Sequence, residues 1–268
     1  MAQAFIGTSG WTYPSGKGLF YPADLPSARF LEFYKNQFST TEVNYSFYHL
    51  PKPATYQKWA AQVPDGFVFA IKASRLLTHT KRLNGVEEPW RIFLHNARSL
   101  GSRLGPILLQ FPASFRYDPG RLAEFLNMTR TVAPEADSLR LVFEFRHASW
   151  FVDEVYGLLS DHRAALCIAD SPTYPRQEVR TSNFMYFRFH GRIQLFASNY
   201  TKTDLSKDVT KMRQYLHEGQ DVYAYFNNDA EGYAVANARM LTEMMNASSL
   251  NAPNTSEGLR GDRALRNY

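Results

Sequence analysis

The stretch DVYAYFNND, residues 221–229, alternates aliphatic and aromatic residues and then ends in three polar side chains. The alternation reads as a strand. A strand that closes on Asn227, Asn228 and Asp229, with no turn glycine, delivers polar groups to its C-terminal end. The same form recurs upstream. RLVFEFR (140–146) carries Glu144 and Arg146, and FMYFRFHG (184–191) carries Arg188 and His190. Five further runs read as strands: AFIGTS from Ala4, TTEVN from Thr40, FVFAIKA from Phe67, PILLQF from Pro106 and AALCIAD from Ala164.

Amphipathic segments lie between them. PSARFLEFYKNQF has Pro26 at a first helical position and Phe30, Phe33 and Tyr34 at helical spacing. EEPWRIFLHNARSLGSRL, DPGRLAEFLNMTRTVA, SWFVDEVYGLLSDHR, DLSKDVTKMRQYLHEG and EGYAVANARMLTEMM read the same way. The unit after Asn44 holds a short helix around Tyr56 to Val63. The link after Asp170, SPTYPRQEVRTSN, is broken by prolines, so the helix after strand six is short or missing. Eight strands alternating with helices over about 250 residues give an α/β fold, a single (β/α)8 TIM-type barrel. A doubly wound sheet is less favoured, because no Gly-rich phosphate fingerprint follows the first strand.

The barrel is expected over 1–246. Residues 247–268 are rich in Ser, Asn and Gly, lack apolar periodicity and carry Arg260, Arg263 and Arg266, which reads as a flexible tail. The 268-residue chain is 44% hydrophobic and 15% aromatic, enough for one sizeable core. No apolar run is long enough to span a bilayer, and MAQAFIGTSG lacks the form of a signal peptide. The single cysteine, Cys167, lies in an apolar run and reads as a core thiol. A cytoplasmic protein with no membrane partner is expected. The net charge of +5 is compatible with an anionic partner, and no run of like charges marks a nucleic-acid tail.

In a TIM-type barrel the C-terminal strand ends form the active face. Strand parity places Glu42, Asn44, Lys72, Gln110, Glu144, Arg146, Asp170, Arg188, His190 and Asn227 at the lumen mouth. A structural lumen would use Val, Ile and Leu there. One reading is a paired internal network, of Glu42 or Glu144 with Lys72 or Arg188. The ring as a whole reads as a site. Its charge is balanced, with Glu42, Glu144 and Asp170 against Lys72, Arg146 and Arg188. A multinuclear metal cluster would need more carboxylates and histidines. The loops add Trp11 and Tyr13 after strand one, His79 after strand three, Trp150 after strand five and Asp229 after strand eight. Aromatic and basic groups of this kind stack bases or sugars and hold phosphates, and Trp150 and Trp11 can equally plug the barrel mouth.

The segments GTSGWTY…FYP, EVNYSFYHLP, GFVFAIKASRLLTH, LGPILLQFP, VFEFRHASW, FRFHGR and YFNND, in this order from about Phe5 to Met245, resemble the YecE-like family, domain of unknown function 72. The resemblance implies a (β/α)8 barrel similar to those of endonuclease IV and xylose-isomerase-like enzymes, and through that likeness a nucleic-acid role. The chain departs from the family pattern near Gly16, where a second Trp is expected, and at Phe196, where Tyr is expected.

The expected function is an enzyme acting on a small anionic ligand, phosphorylated or nucleotide-like. Glu144, Glu42, Asp170 and His190 carry the acid-base chemistry of a hydrolase, lyase or isomerase, with Glu144 as general acid or base. Lys72, Arg188 and Arg146 grip the anion, and Asn44, Gln110, Asn227, Asp229, Trp11, Tyr13, His79 and Trp150 orient the substrate. No cofactor is expected. One alternative is a metal-dependent nucleic-acid phosphodiesterase with a single divalent ion on Glu144, Asp170 and His190, and another is a ligand-binding barrel without chemistry. A glycosidase pair of Glu42 and Glu144 would need a carboxylate separation of about 5–10 Å. The sequence sets no oligomeric state.

Overall fold

A computed structural model describes residues 1–13, 16–133 and 139–247. All eight expected strands form: β1 (Ala4–Thr8), β2 (Thr40–Val43), β3 (Val68–Lys72), β4 (Leu104–Gln110), β5 (Leu141–Glu144), β6 (Ala165–Asp170), β7 (Phe184–Phe189) and β8 (Asp221–Phe226). They are parallel and ordered β1-β8-β7-β6-β5-β4-β3-β2. The helices are α1 (Phe30–Tyr34), α2 (Tyr45–Tyr48), α3 (Pro53–Gln62), α4 (Glu87–Ala97), α5 (Pro119–Val132), α6 (Asp153–Asp161), α7 (Lys202–His217) and α8 (Tyr233–Asn246). This is the (β/α)8 barrel, and as expected no helix stands between β6 and β7. The expected tail falls beyond Ala247, outside the described residues. Among those residues no helix is long and apolar enough to cross a membrane.

Local capping chemistry starts α5 and α7. Asp118 caps α5 by accepting from the Arg121 N–H at 3.1 Å, with Pro119 in the first turn. Thr201 and Asp204 form a reciprocal capping box on α7. The run predicted as one helix after strand three is shorter. α4 stops at Ala97, and a 3-10 turn with Gly101 at φ 60° leads into β4.

The ladder leaves β1 and β2 at its two ends, and hydroxyls lace that seam. Tyr34 of α1 accepts from the Thr8 N–H and donates to the Thr40 carbonyl, both at 3.0 Å. Thr41 Oγ1 donates to the Thr8 carbonyl at 3.1 Å. Gly7 permits the approach, since a Cβ there would stand 2.3 Å from the Thr40 carbonyl oxygen.

Two cores follow from strand parity. The larger lies between the strands and the helices. The smaller fills the lumen with Phe5, Val68, Ala70, Leu108, Val142, Ala165, Cys167, Ala169, Phe184, Tyr186, Tyr223 and Tyr225. Phe5 stacks on Tyr223 with centroids 4.8 Å apart, which closes the N-terminal end of the barrel. The polar ring therefore sits on a floor of aliphatic and aromatic side chains. Cys167 is buried in that floor, and burial pushes its thiol well above the usual range.

Candidate functional site

Arg188 organises the mouth of the lumen. Its Nε and Nη2 donate to the two oxygens of Glu42 at 2.9 and 2.7 Å, and its Nη1 donates to Glu144 Oε2 at 2.5 Å. All three side chains are about 1% exposed or less. β2, β5 and β7 thus aim three charges at one point on the barrel axis. An ion trio so buried holds only when its remaining hydrogen-bonding capacity is also met. Tyr186 and Ser9 complete Glu42, each donating at 2.7 Å. Arg146 Nε donates to Glu144 Oε1 at 3.0 Å.

A general acid needs a raised pKa, and the Glu144 carboxyl, expected to be a general acid or base, is shifted the other way. Burial pushes its carboxyl up, but Arg188, Arg146 and His190 outweigh burial and hold it well below the usual carboxylate range. Glu42 is also lowered, because Arg188, Tyr186 and Ser9 overcome the same burial. Both carboxylates are ionised and engaged. They are the frame of the site, and neither has the raised pKa of a general acid.

His190 is buried, and burial followed by the Arg188 charge lowers its pKa, so the ring is neutral. Asn227 Nδ2 lies 3.2 Å from its Nδ1, and its Nε2 stands 3.4 Å from both Glu144 Oε1 and Arg188 Nη1. Arg146 is fixed twice over. Its guanidinium lies 4.1 Å over the Tyr174 ring and donates from Nη1 to the Tyr174 hydroxyl at 3.2 Å. Arg146 Nη2 has no partner among the described residues.

Lys72 is the tuned group. It ends β3 with its Nζ 4.1 Å above the Phe47 ring of α2. No hydrogen bond or ion pair from the described residues reaches that amine. Burial lowers its pKa to about 7, aided by Arg188 and opposed by Glu144 and Glu42. Above it a cavity of about 1280 Å³ opens, walled by Trp11, Tyr13, Asn44, Phe47, His79, Gln110, Arg146, Asn227 and Asp229 among others. His79 is lowered to about 4, first by burial and then by Lys72 and Arg146, so it too is a neutral ring. Asn44 donates to the Ser9 carbonyl at 3.2 Å, while its buried Oδ1 has no partner among the described residues. Gln110 donates to the Phe111 carbonyl at 2.7 Å. Phe196 meets His190 edge-on, with centroids 5.6 Å apart.

Two expected members lie elsewhere. Asp170 shares its face of β6 with Leu166 and Ile168, while the lumen face of that strand is Ala165, Cys167 and Ala169. It is polar because Arg176 and Arg192 lie 3.8 and 3.6 Å away on the helix side. Trp150 is fully buried, stacked on Phe145 at 4.4 Å, and donates to the Phe115 carbonyl at 2.7 Å. It supports the loop after β5 and does not line the cavity. The metal set of Glu144, Asp170 and His190 is therefore not brought together. Guanidinium groups occupy both oxygens of Glu144, and among the described residues no cluster of three or more His, Cys, Asp or Glu is placed to hold an ion.

Sequence reasoning missed Ser9, Tyr186, Phe47 and Tyr174. Tyr186 shares parity with Arg188, so the rule that placed one places the other. Phe47 and Tyr174 come from a one-turn helix and an irregular loop, where no periodicity marks direction. The terminal NND resolves into three roles. Asn227 contacts the His190 ring, and Asp229 walls the cavity. Asn228 ties the strand end to the surrounding layer by donating to the Ser198 carbonyl and Asn237 Oδ1, both at 2.8 Å.

A family model described as protein of unknown function DUF72 matches residues 5–259. The protein YunF of Bacillus subtilis is 24% identical over 277 residues, covering 90% of this chain and 94% of the relative. YecE of Escherichia coli K12 is 31% identical over 111 residues, covering 41% of this chain and 38% of the relative. A crystal structure of a DUF72 family protein from Thermotoga maritima superposes with a TM-score of 0.80 at 27% identity, covering 91% of this chain and 99% of that one. One from Enterococcus faecalis gives a TM-score of 0.76 at 20% identity, covering 91% and 96%, a likeness of fold.

Proposed function

The chain belongs to the DUF72 family, and we propose that it is an enzyme that takes a small anionic substrate, phosphorylated or nucleotide-like, into the cavity above Lys72. One observation carries this reading: Arg188 and Arg146 account for both lumen carboxylates, and Lys72 is left without a counter-ion among the described residues at the cavity floor. A buried ammonium costs free energy unless something pairs with it. An anionic ligand supplies that pairing and draws a proton onto Lys72 as it binds. Arg146 Nη2 offers a second donor, rigidly held by Tyr174. Asn44 and Gln110 orient the uncharged part of the ligand, and Trp11 covers it.

The metal-dependent phosphodiesterase reading loses its ligand set once Asp170 stands on the helix side of β6. The glycosidase reading loses its raised carboxyl, since both glutamates are held ionised by one guanidinium. Calorimetric titration with inorganic phosphate tests the proposal. Saturable binding at one site per chain, weakened by salt and reduced at least tenfold in Lys72→Met and in Arg146→Met, supports it. Folded protein that takes up no phosphate, or both variants binding like the parent, overturns it.

A further inference from the structure

We infer that Lys72 is a nucleophilic amine and that the substrate class is a small carbonyl compound carrying an anionic group, such as a 2-oxo acid or a phosphorylated aldehyde. This rests on the anion reading above and adds the reaction type.

The geometry carries it. A lysine that only binds phosphate is a hydrated point charge among hydroxyls and backbone N–H groups. Lys72 instead lies against the face of Phe47, at the end of a barrel strand, with no hydrogen-bond partner among the described residues. Among the described residues its amine makes no hydrogen bond or ion pair, whereas Arg188, Arg146 and His190 all contact Glu144. One wall of the same cavity holds Arg146, whose Nη2 is available to an anionic group, and another holds His79. A depressed pKa supports the inference, because a sizeable fraction of the amine is neutral near pH 7.

The step balances within these groups. The neutral Nζ gives its lone pair to the carbonyl carbon, and the C=O π pair moves to oxygen. The nitrogen proton passes to the oxygen through the neutral His79 ring. The proton that Lys72 gave up on becoming neutral returns to that oxygen, which leaves as water while C=N forms. The sum is an ammonium and a carbonyl going to a protonated imine and water, with no change in oxidation state. The imine withdraws electrons from the adjacent carbon, which suits lyase or isomerase chemistry.

The test is reductive trapping. The protein is incubated at pH 7 with glyoxylate and cyanoborohydride, and separately with propanal, and the adducts are mapped by peptide mass spectrometry. The inference expects rapid single labelling at Lys72 by glyoxylate, at least tenfold faster than at any other lysine and suppressed by phosphate. It expects that label to be missing in Lys72→Arg. Labelling spread over surface lysines at similar rates, or undiminished in Lys72→Arg, overturns it. If that variant does not fold, the map of the parent protein decides alone. Phosphate binding by calorimetry without an adduct at Lys72 overturns the amine chemistry and leaves the anion reading standing. Equal trapping of propanal and glyoxylate, with no phosphate binding or protection, overturns the anionic requirement in both statements.

Discussion

Replacing Arg188 with methionine removes three charge-assisted hydrogen bonds at once, at 2.5, 2.7 and 2.9 Å. Glu144 keeps Arg146 at 3.0 Å, but Glu42 keeps only the neutral Ser9 and Tyr186 hydroxyls. One buried carboxylate is then left without a counter-charge. Breaking a buried pair from one side costs about 3–5 kcal/mol, a large part of a typical stability of roughly 5–15 kcal/mol. For a chain of this size that corresponds to a fall in Tm of roughly 6–20 °C. The pH dependence has a fixed sign. In the parent, the lowered pKa of Glu42 gives stability that is present above the unfolded carboxylate pKa and lost as pH falls through the folded value. In Arg188→Met, Glu42 takes up a proton, so the penalty is full at pH 7 and shrinks toward pH 4. The assay is urea unfolding followed by far-UV circular dichroism at pH 7 and pH 4.5, with Glu42→Gln/Arg188→Met alongside. The double variant should recover part of the loss. A single variant within about 1 kcal/mol of the parent at pH 7 would mean that the trio contributes nothing that packing does not.

The other predictions concern the amine, the seam and the displaced aspartate. Lys72→Met should raise stability by on the order of 1–2 kcal/mol at pH 6, since a lysine with its folded pKa near 7 carries a penalty that is full below that pH and fades toward the unfolded pKa; thermal melts at pH 6 and pH 9.5 should show the gain narrowing. Gly7→Ala sets a Cβ against the Thr40 carbonyl and should cost about 1–3 kcal/mol or more in urea unfolding. Tyr34→Phe strands the Thr8 N–H and should cost about 1–3 kcal/mol, with faster hydrogen exchange at Thr8. Asp170→Asn should leave phosphate affinity within twofold of the parent by calorimetry, because Asp170 stands outside the lumen.

The fold was legible because parallel strands and amphipathic helices differ in period, and the chain keeps them apart. All eight strands follow from that alternation, and the prolines in SPTYPRQEVRTSN account for the missing helix after β6. The polar mouth was legible for the same reason, as RLVFEFR and FMYFRFH put charge on one parity and phenylalanine on the other. Parity gives two faces of β6 without saying which turns inward, and the lumen takes Ala165, Cys167 and Ala169, so Asp170 turns outward. Trp150 failed because a loop tryptophan carries no periodic signal to separate a plug from a ligand wall. The roles inverted for a physical reason. Sequence puts Glu144, Arg188 and Lys72 on one ring, but only the distances decide which cations the carboxylates consume. Arg188 with three donors takes both glutamates, and the amine is left over.

The most direct measurement is the titration of Lys72 itself, by carbon-13 NMR of reductively methylated lysines assigned with Lys72→Arg, with and without sulfate. One resonance should titrate near pH 7 and move to higher pH as sulfate binds. A Lys72 resonance that titrates near 10 with the surface lysines, and does not respond to sulfate, would contradict that expectation.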